Sequence, residues 1–327
     1  MKKLLCALTA CLLLIMLGAC GPAAKGKDDR WPVTVDDVTF THVPKRVVTL
    51  SPAVTDMLFA LGYGGRIVGV SDYCEPPQAA QKTASCGTAL IPDVDTILKL
   101  EPDMLFCSAE LPANSKKALT DAGVQIIVVA RAQTLDGILE NYRFLCTAFE
   151  GGKAGDFKAE QLSLFVHTTL DYVRAEVSSS LSSEENKAVY LIQLPFVMAT
   201  GDTLEGGLLT DMGFNNQGDP YTGWNYPPED EPALNPNYIF CDTSVSLDAL
   251  QNSPYYQKTS AVTHERIFTF DARMFERQSP GMFFELEDMM KRAFPEAFKT
   301  SKPSFVIEMP TPEPEPEKTW WQKLFSK

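Results

Sequence analysis

The sequence predicts an α/β protein of two lobes joined by one long α-helix. Three observations carry that expectation. Short apolar, β-branched runs alternate with helical stretches, the pattern of parallel βα layers. The pattern restarts in the second half, where Leu234-Asn235-Pro236-Asn237-Tyr238-Ile239-Phe240-Cys241 echoes Leu100-Glu101-Pro102-Asp103-Met104-Leu105-Phe106-Cys107 with Leu, Pro, Phe and Cys in register. Between the halves runs a proline-free stretch from Lys153 to Leu181, with Phe157, Leu162, Phe165, Val166, Tyr172, Val173 and Val177 at helical spacing.

Each element has a local reason. Arg46–Leu50 is the first strand; Ser51 caps the helix that follows through Leu61, Pro52 fits its first turn, and Gly62 stops it. Strands follow at Ile67–Val70, Met104–Cys107 and Val124–Ala130, with helices at Val94–Leu100 and Ser115–Ala122. The second half places strands at Ala188–Leu194, Tyr238–Cys241 and Ile267–Phe270, and helices at Leu204–Met212 and Met282–Phe294. A helix over Lys153–Leu181 would extend roughly 42 Å at 1.5 Å per residue, enough to bridge two lobes side by side.

The chain ends have a different character. Lys2 and Lys3 precede an apolar stretch from Leu4 to Leu17, followed by Gly18-Ala19-Cys20. This reads as a secretory signal over residues 1–19, too short for a comfortable membrane span. The small residues before Cys20 resemble a bacterial lipobox, which implies a lipid-modified Cys20, a tether through residue 41, and a mature protein anchored on the outer face of the cytoplasmic membrane. The final segment, residues 301–327, holds a Pro/Glu run and then Trp320, Trp321, Leu324 and Phe325 among lysines; it is either a short amphipathic foot or an unpacked end.

Composition narrows the function. The net charge of −13 becomes −15 once Lys2 and Lys3 leave with the signal, which argues against nucleic acid or anionic lipid as partner. Among the histidines only His42, His167 and His264 occur, without metal-ligand spacing, so no metal site is expected. No G-x-S-x-G elbow and no G-x-G-x-x-G turn after the first strand is present, so neither a hydrolase nor a dinucleotide enzyme is indicated. Five cysteines would remain in the mature chain: Cys74, Cys86, Cys107, Cys146 and Cys241. Cys74 and Cys86 are the pair best placed for a disulfide; five reduced, partly buried thiols are the alternative.

Several motifs together resemble the substrate-binding proteins of ABC importers for vitamin B12 and ferric siderophores. They are Pro44–Pro52, Thr55-Asp56, Leu58–Gly62, Val68–Cys74, Leu100–Leu105, Asn235-Pro236 and Phe275–Pro280, in the right order over about residues 42–298. The resemblance implies two Rossmann-like lobes, at 42–152 and 182–300, a rigid interlobe helix at 153–181, and a ligand cleft between the lobes. It implies a monomeric binding protein, not an enzyme and without a resident cofactor, that hands a small-molecule ligand to a permease dimer with its ATPase subunits. A corrinoid is the expected ligand; a ferric siderophore or haem is the alternative, and a surface lipoprotein without a transport role is a further one. Ala89 and Ser108 stand where B12 binders often carry tryptophan, and Arg273 where an acid is common.

Within that frame Tyr73 resembles an aromatic that stacks on the corrin ring. Trp224, in the Gly- and Pro-rich loop Tyr221–Pro228, is an exposed aromatic better explained by a ligand than by a core. Arg273, Phe275 and Arg277 are expected on a loop after the strand ending at Phe270. Arg277 would meet ligand oxygens or, as the alternative, pair with Glu276 or Asp271. Asp95 and Glu229 each lie seven residues before the echoed proline, matching the acids that dock on the permease; Glu231 is the fallback. The alternative is a pair of solvated acids favoured by a helix start.

Overall fold

The computed structural model describes residues 30–74, 83–182 and 184–299. The predicted signal, Cys20 and the 301–327 segment lie outside these residues. Two parallel sheets form the two lobes. The first holds β3 (Val47–Leu50), β4 (Ile67–Val70), β5 (Ala84–Ser85), β6 (Met104–Cys107) and β7 (Gln125–Val128), in the order β5-β4-β3-β6-β7. The second holds β8 (Lys187–Gln193), β10 (Asn215–Asn216), β11 (Tyr238–Asp242) and β12 (Ile267–Phe270), in the order β10-β8-β11-β12; β9 (Val197–Met198) pairs antiparallel to β8.

The strands read as continuous apolar runs because both faces are covered. All four residues of β3 and of β6 are buried, with Val47 opposite Met104 and Leu50 opposite Cys107. The echoed strand β11 sits equivalently beside β8, with Tyr238 opposite Ala188.

Helices α1 (Pro52–Ala60), α2 (Val94–Lys99), α3 (Ala113–Asp121) and α4 (Leu135–Glu150) cover the first sheet. Ser51 caps α1 by accepting a hydrogen bond from the Val54 amide. Asp93 caps α2 through the Thr96 amide, and Thr134 caps α4 through the Gly137 amide. Helix α4 carries no counterpart in the sequence reading, although its cap and apolar face are both visible in the residues.

Helix α5 (Gly152–Ser180) is the predicted interlobe helix; its 29 residues extend about 43 Å. Leu162, Phe165, Val166, Leu170, Val173 and Val177 form its buried stripe. Phe157 does not belong to that stripe and is exposed. Helix α5 packs along α4 at Gly155, where a Cβ would sit 2.5 Å from the Thr147 Cα. Gly155→Ala must push backbone away from backbone, an overpacking that costs roughly 1–3 kcal/mol. A drop in the thermal midpoint checks this; an unchanged midpoint would mean the helices pack less closely.

The first lobe begins earlier than residue 42. Strands β1 (Val33–Val35) and β2 (Val38–Phe40) form a hairpin, and Trp31, Val35 and Phe40 are buried in the core. Residues 31–40 are therefore part of the folded body and not tether; their apolar alternation loses its meaning when read as a linker. The second lobe adds α6 (Leu204–Asp211), α7 (Leu247–Gln251), α8 (Ser260–Thr263), α9 (Arg273–Arg277) and α10 (Gly281–Ala293). Helix α10 packs on α5, and α9 on α1, so the carboxyl ends of the two sheets face each other.

Candidate functional site

In open parallel sheets, ligands bind outside the carboxyl ends of the strands. Here those ends meet at three interlobe ties. Arg131, just after β7, places a guanidinium nitrogen 2.7 Å from Glu205 Oε1 near the start of α6. Arg277, after β12, lies 3.4 Å from Asp56 Oδ2 on α1. The two pairs are alike in topology: each joins the first described helix of one lobe to a cation after the last strand of the other.

The third tie is neutral. The buried Gln278 side chain accepts a hydrogen bond from the Ala132 amide at 3.0 Å and donates to the Ala132 carbonyl at 2.7 Å. Tyr142 donates its hydroxyl to the Gln278 carbonyl at 2.6 Å. Gln278 takes a left-handed φ of 49° to make these bonds. Together the ties hold the lobes in one orientation.

Glu205 is 4 % exposed, and its Oε2 has no hydrogen-bond partner. Burial raises its carboxyl above the usual range, and the Arg131 charge opposes that rise. Asp271 is held below the usual range by hydrogen bonds from Arg273. Asp242 is also lowered: burial pushes against it, and the Ser244 and Ala272 amides that donate to its oxygens prevail.

The sequence-predicted residues separate into groups. Tyr73 is 76 % exposed on the turn after β4, and the next residue, Cys74, places its Sγ 3.2 Å from Thr55 Oγ1 on α1. That turn therefore stands beside the Asp56–Arg277 tie. Trp224 belongs to the second lobe, half-buried, its ring centroid 6.2 Å from that of Tyr190. Trp224 has a left-handed φ of 63°, a conformation that non-glycine residues adopt when the surroundings fix it. The Trp224 amide donates to Thr200 Oγ1 at 3.1 Å, its carbonyl accepts from the Met198 amide, and the Asp202 carboxylate accepts from the Gly223 amide.

Arg273, Phe275 and Arg277 sit on the short helix α9 and not on a loop. Phe275 is a correction: at 1 % exposure its ring packs on Tyr190 and Phe270, and no surface is left for a ligand. Arg273 pairs with Asp271. Arg277 pairs with Asp56 of the other lobe, and its charge also helps to lower the Asp271 carboxyl. The Cys74–Cys86 disulfide is also a correction. All five cysteines among the described residues are free; Cys86 is buried with its Sγ toward the Ala84 carbonyl at 3.6 Å. Burial pushes the Cys86 thiol up to about 11 and the Cys241 thiol up to about 12, which leaves both unreactive.

Asp95 is exposed in the first turn of α2, and Glu229 is exposed in a 3₁₀ turn over Pro228–Ala233. Each leads into the echoed strand of its lobe, β6 or β11. The Glu231 side chain lies outside the described residues. Arg131, Glu205, Asp56 and Gln278 escaped the sequence reading as an interlobe set, because each pairs across the chain with a residue of the other lobe.

A separate cavity of about 460 Å³ lies between the start of α4 and α6, bordered by Thr134, Asp136, Asp202, Thr203, Asp211 and Asp219. No aromatic or basic side chain lines it, and it includes neither Tyr73, Trp224 nor Arg277. Among the described residues, no group of three or more His, Cys, Asp or Glu converges on a metal position, and no helix is long and apolar enough to cross a membrane.

Comparison with known proteins places this geometry. The Periplasmic binding protein family matches residues 47–274. An uncharacterized ABC transporter substrate-binding lipoprotein of Bacillus subtilis, YvrC, is 28 % identical over 313 residues, covering 89 % of this chain and 97 % of the relative. A vitamin B12-binding protein of Vibrio vulnificus is 24 % identical over 256 residues, covering 75 % of this chain and 88 % of its own. Among solved structures, the periplasmic vitamin B12-binding protein BtuF of Vibrio cholerae aligns with a TM-score of 0.57 at 20 % identity, covering 78 % of this chain and 98 % of BtuF. The periplasmic haem-binding protein HutB of Vibrio cholerae aligns at 0.64 and 20 % identity, covering 76 % and 99 %. At these identities the structural likeness is one of fold. The chain belongs to the periplasmic binding protein family.

Proposed function

We propose that the chain is the lipid-anchored, extracytoplasmic binding protein of an ABC importer, and that it captures a corrinoid in the cleft between its lobes. Delivery to the permease dimer uses Asp95 and Glu229, one from each lobe. The anchor is Cys20, the body is a monomer, and the lobes extend over 31–151 and 181–299 around α5. The relatives named above support the importer role: one is a substrate-binding lipoprotein and another binds vitamin B12.

The observation that favours a corrinoid over an anionic iron complex is the charge of the cleft. Its three arginines already face acids: Arg131 faces Glu205, Arg277 faces Asp56, and Arg273 faces Asp271. Glu276 adds a further acid close enough to raise the Glu205 and Tyr190 groups. A strongly anionic ligand would have to break an ion pair and enter an acidic field. A ring with an uncharged amide rim meets no such opposition, and Tyr73 and Trp224 offer apolar faces to it. Arg273 and Arg277 then act as shared donors to amide oxygens while they keep their acids.

Calorimetric titration of residues 21–327 with cobinamide, cyanocobalamin, haemin and a ferric siderophore tests this. Sub-micromolar corrinoid binding, about −8 kcal/mol or better, is expected. Tyr73→Ala and Trp224→Ala should each weaken it about tenfold, or ~1.4 kcal/mol. Tight haemin or siderophore binding without corrinoid binding would move the substrate and overturn the charge argument.

A further inference from the structure

Phe157 and Leu164 on α5 and Phe284 on α10 are large apolar side chains left exposed, at 63 %, 55 % and 45 %. Phe157 and Leu164 are two turns apart on one side of α5, about 10 Å at 1.5 Å per residue. The same periodicity puts Gln161 and Thr168 on that strip, alongside Phe165 and Tyr172. The end of the second lobe packs along this edge. The Phe284 ring centroid lies 5.1 Å from that of Phe165, and the Phe298 centroid 5.8 Å from that of Tyr172. Leu164 and Phe284 therefore border a shallow groove between α5 and α10, with the buried Phe165 beneath. A contiguous exposed apolar patch of this kind marks a contact surface.

The rim of the groove is acidic. Glu160 lies one turn before Leu164 on α5, and Glu285 follows Phe284 on α10; both are exposed. The cations farther along α10 already face acids of their own helix: Lys291 pairs with Glu287 at 2.6 Å and Arg292 with Asp288 at 3.3 Å. Lys153 stands one turn before Phe157, at the far end of the strip.

The chain itself supplies the complement. In a chain of net charge −13, residues 318–327 hold three lysines, Lys318, Lys323 and Lys327, and no acid. Their apolar members, Trp320, Trp321, Leu324 and Phe325, fall at i, i+1, i+4 and i+5. That spacing lets a short amphipathic segment lay one face into a groove between helices. The described body ends at Lys299, one residue past the Phe298–Tyr172 contact, so the chain leaves the body beside α5. Tyr172 is about 12 Å along α5 from Leu164. Residues 300–319 allow a reach of about 60 Å at 3.1 Å per residue, well beyond that span. A tether of this kind holds its end at an effective concentration on the order of millimolar, so a weak contact suffices to seat it. The nearer apolar run, Phe305-Val306-Ile307, leads into Glu308 and the Pro/Glu run and would set acids against acids.

From this we infer that the segment Trp320–Phe325 docks in the α5–α10 groove of its own chain. Its apolar side chains cover Phe157, Leu164 and Phe284, and its lysines face Glu160 and Glu285. The docked segment keeps the aromatic, cationic end of the chain against the body and away from the membrane. The inference stands apart from the ligand proposed for the cleft.

Tryptophan emission of residues 21–327 tests it. The signal of the terminal pair is the difference between wild type and W320F/W321F, and a synthetic peptide of residues 318–327 gives the free reference. The difference spectrum should be blue-shifted from the peptide and shielded from acrylamide. F157S/L164S and E160K/E285K should each return it to the peptide value, with thermal midpoints unchanged because these side chains are exposed. If F157S/L164S lowers the midpoint, E160K/E285K alone decides. A wild-type difference spectrum equal to that of the peptide overturns the docking, and so does a blue shift that survives the variants. A blue shift lost on dilution assigns the groove to a second copy of the chain, and one that needs phosphatidylglycerol vesicles assigns the segment to the membrane; either overturns docking within one chain.

Discussion

Arg131→Met lowers the folding stability by about 3 kcal/mol at neutral pH, the low end of the range for removing one partner of a buried ion pair. The low end applies because Arg131 is partly exposed, whereas Glu205 is almost wholly enclosed. The loss comes from what is left behind: a buried carboxylate whose Oε2 already has no partner would also lose its bond to Arg131. The pH dependence separates this cause from lost packing. Burial raises the folded-state pKa of Glu205 above its ordinary 4.5, and Arg131 restrains the rise. A folded state that holds a proton more tightly than the unfolded chain loses stability as pH rises from the ordinary value through the raised one. Without Arg131 that window widens upward. The deficit of the variant is therefore largest above neutrality and shrinks as pH falls toward 4.5, and R131M/E205Q recovers most of it. Denaturant unfolding at pH 4.5 and 7.5 reads both effects; a deficit equal at the two values would mean that only packing was lost.

The second large effect is on transport. Asp95→Ala with Glu229→Ala should cut uptake of labelled cobinamide at least tenfold in cells that depend on this protein, with ligand affinity unchanged. Two exposed acids on separate lobes set the register of docking and steer encounter, so their loss acts on complex formation and not on the cleft. Both side chains are exposed at the starts of short helical turns, where their removal costs little stability. Asp95→Lys with Glu229→Lys should be more damaging than the alanine pair, because like charges would then oppose each other across the interface. Full uptake in the alanine pair would assign these acids to favourable helix starts alone.

Much of the fold was legible because its signals are local. Ser51-Pro52 and Gly62 bound α1, the prolines at 102 and 236 bound the strands that follow, and the apolar stripe of α5 needs no partner to be seen. The hairpin at β1 and β2 was not legible in the same way. Its three-residue strands are too short for periodicity, and only the burial of Trp31, Val35 and Phe40 in the core gives them meaning. The apolar character of Phe275 was visible, but its direction was not: a single turn of α9 sends Phe275 inward and Arg277 toward Asp56. The interlobe ties are wholly tertiary. Glu205 looks in sequence like any acid in the first turn of a helix, and only the approach of Arg131 from the other lobe distinguishes it.

A crystal structure of the chain with cobinamide bound tests the central claim most directly. The account predicts the corrin ring between the lobes, one side against Tyr73 and the other against Trp224, with the Arg131–Glu205 tie intact. A corrinoid held in the acidic cavity beside α6, or bound on the outer surface with Tyr73 and Trp224 both exposed to solvent, would contradict it.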